Sequence, residues 1–204
     1  MKKIICISLF LLSSMIIFAQ NPYEDMGIDH NIQVTQILKQ INSIPKTTTE
    51  VKAFLCPILI KNLGKCSFGP AGEDTYSWID KLPISILLKA KVKETIDLQN
   101  ENLTVSQFWN IIQSKEREAS SLFAGEELRI YFEHLAVAKY SYKYWMPISK
   151  GGLNGISNIG AGGYATMSPW GHVFVCDCVG GLLGGAVGYI GVSVFNALDT
   201  FWVN

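Results

Sequence analysis

The stretch 180–191, GGLLGGAVGYIG, places six glycines at helical spacing inside an apolar run. At about 100° per residue the glycines share one side of a helical wheel, and Asp177 projects to the middle of that side. Glycines on one helix face let another backbone approach closely, so this face is a predicted helix-packing seam. The predicted seam comprises Gly180, Gly181, Gly184, Gly185, Gly188, Gly191 and Asp177.

The opposite side of the same helix is apolar and bulky. A glycine costs about 1 kcal/mol relative to alanine inside a water-exposed helix, so a helix with six of them does not hold alone. The segment therefore needs either lipid or a closely packed partner. The residues of the apolar back are Val179, Leu182, Leu183, Ala186, Val187, Ile190, Val194 and Ala197.

Aromatic residues flank the segment, with Trp170 before it and Phe201 and Trp202 after it. About 32 residues of helix span roughly 48 Å, slightly more than a bilayer with its interfaces. Aromatics at both ends are typical of an interfacial belt, although two shorter helices or a kinked helix also fit. The charge on Asp177 is costly in lipid and calls for a partner. Since no basic residue follows Lys150, that partner comes from the preceding helices, a second copy or backbone donors.

The N-terminus has the pattern of an export signal. Lys2 and Lys3 precede the apolar stretch 4–18, which ends at the small residue Ala19. The stretch is shorter than the roughly 20 residues of a membrane-spanning helix, so we predict cleavage after Ala19 and an exported protein. An uncleaved anchor is the alternative interpretation.

Composition changes abruptly near residue 150. Beyond Lys150 only Asp177 and Asp199 are charged, and 13 of the 18 glycines lie there. The predicted organisation is a signal peptide (1–19), a helical domain (20–149), a Gly-rich linker (150–167) and a glycine-zipper tail (168–204). The formal net charge of the chain is zero, so the sequence offers no long basic face for nucleic acid.

Helical periodicity dominates the domain, which predicts an all-α bundle. Asn31 is a predicted cap for a first helix that carries Val34, Ile37 and Leu38, and Thr47 with Glu50 forms a capping box for a second.

The second helix is bent or stopped near Pro57, and residues 64–77 read as loop. Pro83 suits the first turn of a third helix, and Thr104 with Gln107 forms a capping box for a fourth. A fifth helix follows Gly125.

Four cysteines follow the signal peptide. Cys56 and Cys66 are the candidate disulfide, because the loop between them is short and an exported chain permits disulfides. On a helix Cys176 and Cys178 point about 200° apart, so they cannot bind one metal ion together and are predicted to be small buried side chains. No metal site is predicted.

Candidate catalytic chemistry is sparse. His134 beside Glu133 fits either an acid or base or a charged surface helix, and His30 fits a helix-capping residue or a catalytic one. The run 139–145, KYSYKYW, fits a sugar-stacking, single-stranded nucleic-acid or membrane-surface patch, or the partly buried end of a helix. No P-loop, zinc-protease motif or triad occurs, and no catalytic residue, cofactor or small-molecule substrate is predicted.

Two segments resemble known sequences. The tail from Gly180 to Gly188 resembles the glycine-zipper segments of small bacterial exported proteins and of pore-forming or bacteriocin-like peptides. The stretch Asn21-Pro22-Tyr23, with Gly27 and His30-Asn31, resembles the mature N-termini of functionally uncharacterised exported bacterial proteins. The resemblance implies association through the tail and carries over no catalytic residue.

The expected function is that of an exported helical protein whose tail mediates membrane association, or helix–helix packing and oligomerisation. The alternative is a soluble exported binding or structural protein whose tail is buried against the helical domain. An enzyme of unrecognised type is the third hypothesis.

Overall fold

The computed structural model describes residues 21–40, 48–63, 75–153 and Asp177. Within that part of the chain every regular element is helical, which confirms the all-α class. Two short 3₁₀ helices, Leu98–Glu101 and Ile148–Lys150, accompany the α-helices. The α-helices are α1 (Glu24–Leu38), α2 (Thr48–Leu63), α3 (Thr75–Asp80), α4 (Ile86–Asp97), α5 (Val105–Leu122) and α6 (Gly125–Trp145).

Helix α6 is the central element and packs against α1, α4 and α5. Its start at Gly125 confirms the predicted fifth helix. Residues 131–139 are all buried, so neighbouring structure covers this stretch on every side. A helix buried all round is normally apolar, yet this one carries Glu133, His134 and Lys139. Such groups need polar partners inside the protein, because burying them without partners costs several kcal/mol.

The hydrophobic core is built where α1, α4 and α5 meet α6. The rings of Phe108 and Tyr142 are stacked with centroids 3.9 Å apart and an interplanar angle of 2°. The predicted apolar positions Val34, Ile37 and Leu38 are all buried. Further core residues are Leu88, Val92, Ile96, Ile112, Ala119, Leu135, Ala138 and Trp145.

The starts of α4 and α5 follow from capping. The capping box of Thr104 and Gln107 is present at the start of α5, as predicted. Helix α4 begins later than predicted from Pro83, because Ser85 is its N-cap and accepts a hydrogen bond from the Leu88 N–H at 3.1 Å. The Ser85 backbone N–H in turn donates to Glu127 of α6 at 2.7 Å, which ties this cap to the central helix.

The start of α1 corrects the sequence prediction. Asn31 lies in the second turn of this helix and donates to the Tyr140 carbonyl at 2.9 Å instead of capping. The chain already turns at Asn21, whose side chain accepts from the Tyr23 N–H at 2.9 Å. Acidic residues in the first turn, Glu24 and Asp25, favour this earlier start because they interact well with the positive end of the helix dipole.

Helix α2 continues through Pro57 to Leu63, so the proline does not stop it. Residues 75–77, predicted as loop, belong to α3. Cys56 lies in α2, and Cys66 lies outside the described residues. The pairing with Cys66 therefore stays a prediction.

The chain reverses direction directly after α6. Gly151 adopts a left-handed backbone with φ of 84°. A Cβ on Gly152 would lie 2.1 Å from the Met146 carbonyl oxygen, so only glycine fits there. The Leu153 N–H donates to the Lys143 carbonyl at 2.9 Å, which brings the chain back alongside the end of α6.

Among the described residues, no helix combines the length and the apolar character that crossing a membrane requires. Apart from Asp177, the predicted tail lies outside the described residues, as does nearly all of the predicted linker.

Candidate functional site

Asp177 lies fully buried against α6 and α1. The indole N–H of Trp145 donates to its Oδ2 at 2.8 Å, and the Ser141 hydroxyl donates to the same oxygen. The Nε2 atom of His30 lies 3.9 Å from that oxygen. Of the three sources of a partner that the sequence left open, the preceding helices therefore supply these contacts.

Helix geometry explains why these groups converge. Ser141 and Trp145 are four residues apart in α6, so they lie on one face and one turn from each other. His30 occupies the facing side of α1, and its Nδ1 lies 3.0 Å from the Asn31 Oδ1. The carboxylate of Asp177 thus bridges the two helices that pack most extensively together.

Gly27 makes the close approach of α1 and α6 possible. A Cβ at this position would lie 2.4 Å from the Ala136 carbonyl oxygen and 2.6 Å from Cδ2 of Tyr140. Real Cβ atoms do not come this close to backbone, so any larger residue forces the helices apart. Gly27 lies one turn before His30 and so helps to set the distance between His30 and α6.

The energetics of Asp177 favour a fixed docking position. Hydrogen bonds to a charged acceptor contribute about 1.5–3 kcal/mol, and a buried charge without them is strongly destabilising. Both donors on α6 bind the same carboxylate oxygen of Asp177, which fixes the position and the direction of that carboxylate.

The set of serine, histidine and aspartate does not have the arrangement of a catalytic triad. In a triad the histidine lies between the serine and the carboxylate, whereas Ser141 here donates directly to Asp177. All three residues are also buried. The geometry therefore indicates a structural contact.

A second polar cluster surrounds the buried Lys139 of α6. The ammonium of Lys139 lies 2.6 Å from Glu24 of α1 and 3.0 Å from Glu116 of α5. The Asn21 amide donates to Glu116 at 2.9 Å and to the Phe132 carbonyl at 2.7 Å. These contacts link three helices and the start of the described chain through one buried lysine.

Aromatic rings border this cluster. The Lys139 ammonium lies 5.0 Å from the centroid of the Trp109 ring. The Tyr140 hydroxyl donates to Glu24 at 2.9 Å. Burial and that hydrogen bond raise the pKa of Tyr140 to about 12, because both disfavour the charged phenolate.

No family model, curated protein or solved structure matches the chain. A search of the described residues also found no group of histidine, cysteine and acidic side chains that could hold a metal ion. A functional proposal for this chain therefore depends on its own residues.

The structure describes only part of the predicted sites. Asp177 is the single member of the predicted seam among the described residues, and its surroundings are those given above. Outside the described residues lie the seam glycines Gly180, Gly181, Gly184, Gly185, Gly188 and Gly191, the aromatics Trp170, Phe201 and Trp202, and Cys66.

Neither histidine occupies the structural position that the sequence predicted for it. His30 lies inside α1 and is 2% exposed, so it does not cap a helix. His134 is fully buried, so it does not belong to a charged surface face. The run 139–145 is mostly buried, with Lys139, Ser141 and Trp145 inside the protein, which agrees with the helix-end interpretation.

The sequence analysis did not identify the groups that contact Asp177. Ser141 and Trp145 were visible only as parts of an aromatic and lysine run, and Gly27 only as part of a resemblance. The available signal was the four-residue spacing of Ser141 and Trp145, which places both on one face of a helix. It became informative only once a buried carboxylate was placed against it.

Proposed function

We propose that this chain is an exported protein whose helical bundle (20–149) holds its own C-terminal tail through Asp177. The tail, in turn, mediates helix–helix packing at the envelope. The observation that carries the proposal is the burial of the Asp177 carboxylate against Trp145 and Ser141. The tight reversal at Gly151 and Gly152 supports it, because it directs the chain back toward the end of α6 where those donors lie.

The position of Asp177 also gives the tail an orientation. On the helical wheel Asp177 projects to the middle of the glycine face. A tail helix that aims Asp177 at α6 therefore aims its glycines at the bundle too. The seam then serves as an intramolecular contact, and the close approach that glycine allows compensates for the helix stability that glycine costs.

This orientation turns the apolar back of the tail away from α6. Leu182, Leu183 and Ile190 would form part of an apolar strip along the outward side of the tail helix. Such a strip is suited to a membrane surface or to a second copy of the chain, since contiguous exposed apolar patches mark interaction sites. The aromatics at the ends of the tail suit the membrane interface.

Paired variants of neighbouring residues test the two faces of the tail. The double variant Leu182→Ser with Leu183→Ser should move the protein from the membrane fraction to the soluble fraction, or convert oligomer to monomer. Its free energy of unfolding should change little. Leucine at Gly184 should instead lower the free energy of unfolding, because its side chain would block the seam. Fractionation, size measurement and urea unfolding report these effects.

The results distinguish the parts of the proposal. A wild-type protein that is monomeric and stays in the soluble fraction without detergent contradicts the outward strip. Unchanged stability on replacing Gly184 by leucine contradicts the inward seam. Mass spectrometry of the mature protein tests export, for which a chain beginning at Gln20 is expected.

A second candidate function is a binding or structural protein whose tail is buried on both faces. The complete burial of Asp177 favours it, because a docked tail can also be covered by the rest of the C-terminal segment. This candidate predicts a monomer in the soluble fraction, with lowered stability both for leucine at Gly184 and for serine at Leu183.

A further inference from the structure

Helix α1 presents an exposed strip along its outer side. Residues 25, 28, 29, 32 and 36 are all exposed and recur at helical spacing, which places them on one face. Ile28 and Ile32 lie one turn apart on this face and are 37% and 48% exposed. Asp25 and Asp29 lie beside them, and no basic side chain of the described residues is within salt-bridge distance of either carboxylate. This face, the α1 strip, is therefore apolar and negatively charged.

The first turns of helix α4 present a second exposed strip, of the opposite charge. Ile86 is 86% exposed and Leu87 is 44% exposed, and the exposed Ala90 follows them one turn later. On a helical wheel, lysines flank this apolar surface on both sides. The flanking lysines are Lys89, Lys91 and Lys93. This face is called the α4 strip.

Positive charge exceeds negative charge at the α4 strip. The ammonium of Lys93 lies 2.6 Å from the Asp80 carboxylate, whereas Lys89 donates to the neutral backbone carbonyl of Asp80 at 2.7 Å. Glu94 pairs with Lys91 at 2.8 Å but is shared with a lysine of α5. Within the described part of the chain, the three lysines of the strip therefore meet only two carboxylates, one of them shared.

The two strips are complementary to each other. Each combines two large aliphatic side chains with charge of a single sign, negative on α1 and positive on α4. Both are exposed, so neither covers the other within one molecule. Exposed apolar surface bordered by charge marks interaction sites, and opposite charges favour the correct pairing of surfaces. Contact between two α1 strips or two α4 strips would place like charges together, which disfavours it.

We propose that the α1 strip of one copy of the chain docks on the α4 strip of the next copy. The isoleucine pair of the first strip packs against the apolar pair of the second, and Asp29 of one copy faces Lys89 of the next. Because two different surfaces meet, the contact is head-to-tail and generates rings or open filaments. The helices are short, with 15 and 12 residues, so the contact is small and the association is weak and concentration-dependent. It does not depend on the docking of the tail, since neither strip includes a residue that contacts Asp177.

Charge reversal on each strip tests the contact. Sedimentation velocity of the purified full chain at low salt should show association that increases with protein concentration. Asp29→Lys and Lys89→Glu should each weaken it by about tenfold, because like charges then face each other across the contact. An equimolar mixture of the two variants should recover the association, because each reversed strip then meets a strip of opposite charge.

Glu118→Lys and Arg117→Glu are the matched controls. They reverse charges of the same two signs at exposed positions of α5, outside both strips, and should leave the association unchanged. Circular dichroism checks that all four variants are folded. Raising the salt concentration should weaken the association of the wild type, since exposed charges are screened.

Three outcomes would overturn the proposal. The first is a wild-type chain that stays monomeric at every concentration, including one that instead binds phosphatidylglycerol vesicles through Lys89. The second is a mixture of the two folded variants that associates no better than either variant alone. The third is an assembly that both charge reversals leave intact. If Leu182→Ser with Leu183→Ser dissociates that assembly, the tail forms the contact, and the proposed function stands without this interface.

Discussion

Replacing Asp177 by alanine should lower the free energy of unfolding by about 2–4 kcal/mol. The substitution removes the acceptor of two buried donors, the Trp145 indole N–H and the Ser141 hydroxyl. A buried donor left without a partner costs about 1–3 kcal/mol. The hydroxyl can rotate to a carbonyl of its own helix, but the indole N–H has a fixed direction and bears the larger part of the loss.

Asparagine at the same position gives a graded test. It keeps an acceptor oxygen of similar shape but loses the charge. Hydrogen bonds to a charged group are roughly twice as strong as neutral ones, so Asp177→Asn should cost about half as much as Asp177→Ala. The predicted order of stability is wild type, then Asp177→Asn, then Asp177→Ala.

Urea unfolding followed by far-UV circular dichroism measures these differences. Asp29→Ala is the matched control, because Asp29 is exposed on α1 and surface substitutions usually change stability by less than about 0.5 kcal/mol. If Asp177→Ala and Asp29→Ala have equal free energies of unfolding, the claim that Asp177 fixes the tail is refuted.

Three further predictions concern the core. Gly27→Ala should destabilise by about 1–3 kcal/mol in urea unfolding, because its Cβ would lie 2.4 Å from the Ala136 carbonyl; no loss would contradict the close helix contact. Lys139→Met should cost about 3–5 kcal/mol because it strands the buried Glu116 carboxylate, and adding Glu116→Gln should recover part of it; equal stability of the single and double variants would contradict the ion pair. The raised pKa of Tyr140, about 12, means that unfolding releases a proton above pH 10, so stability should fall between about pH 10 and 12. Tyr140→Phe should remove part of that slope, and an identical pH dependence would argue against the raised pKa.

Local signals predicted much of the helical part correctly. The capping box at Thr104, the start at Gly125 and the buried positions Val34, Ile37 and Leu38 all follow from spacing and side-chain chemistry within a few residues. Such features are local, so the sequence contains all the information that they need.

The wrong predictions concern residues whose positions depend on contacts with distant parts of the chain. Asn31 has the side chain of a capping residue, yet the Tyr140 carbonyl of a distant helix takes its amide. His134 follows a glutamate in a charged sequence, yet α6 is covered on all sides and buries it. The sequence neighbours of either residue do not include the group that determines its position.

The candidate site also combines features that local sequence predicts with contacts that it does not predict. The helical wheel singled out Asp177 and its need for a partner, because charge and periodicity are local properties. The identity of that partner depended on the packing of α1 on α6, which Gly27 permits, and on a chain reversal at Gly151.

A double-mutant cycle between Asp177 and Trp145 tests the central claim most directly. The cycle compares the free energies of unfolding of wild type, Asp177→Ala, Trp145→Phe and the double variant, so the cavity left by the smaller ring cancels. If the tail is docked, the double variant should lose about 1–2 kcal/mol less unfolding free energy than the sum of the losses of the two single variants. Losses that add to within about 0.5 kcal/mol would contradict the contact between the tail and α6.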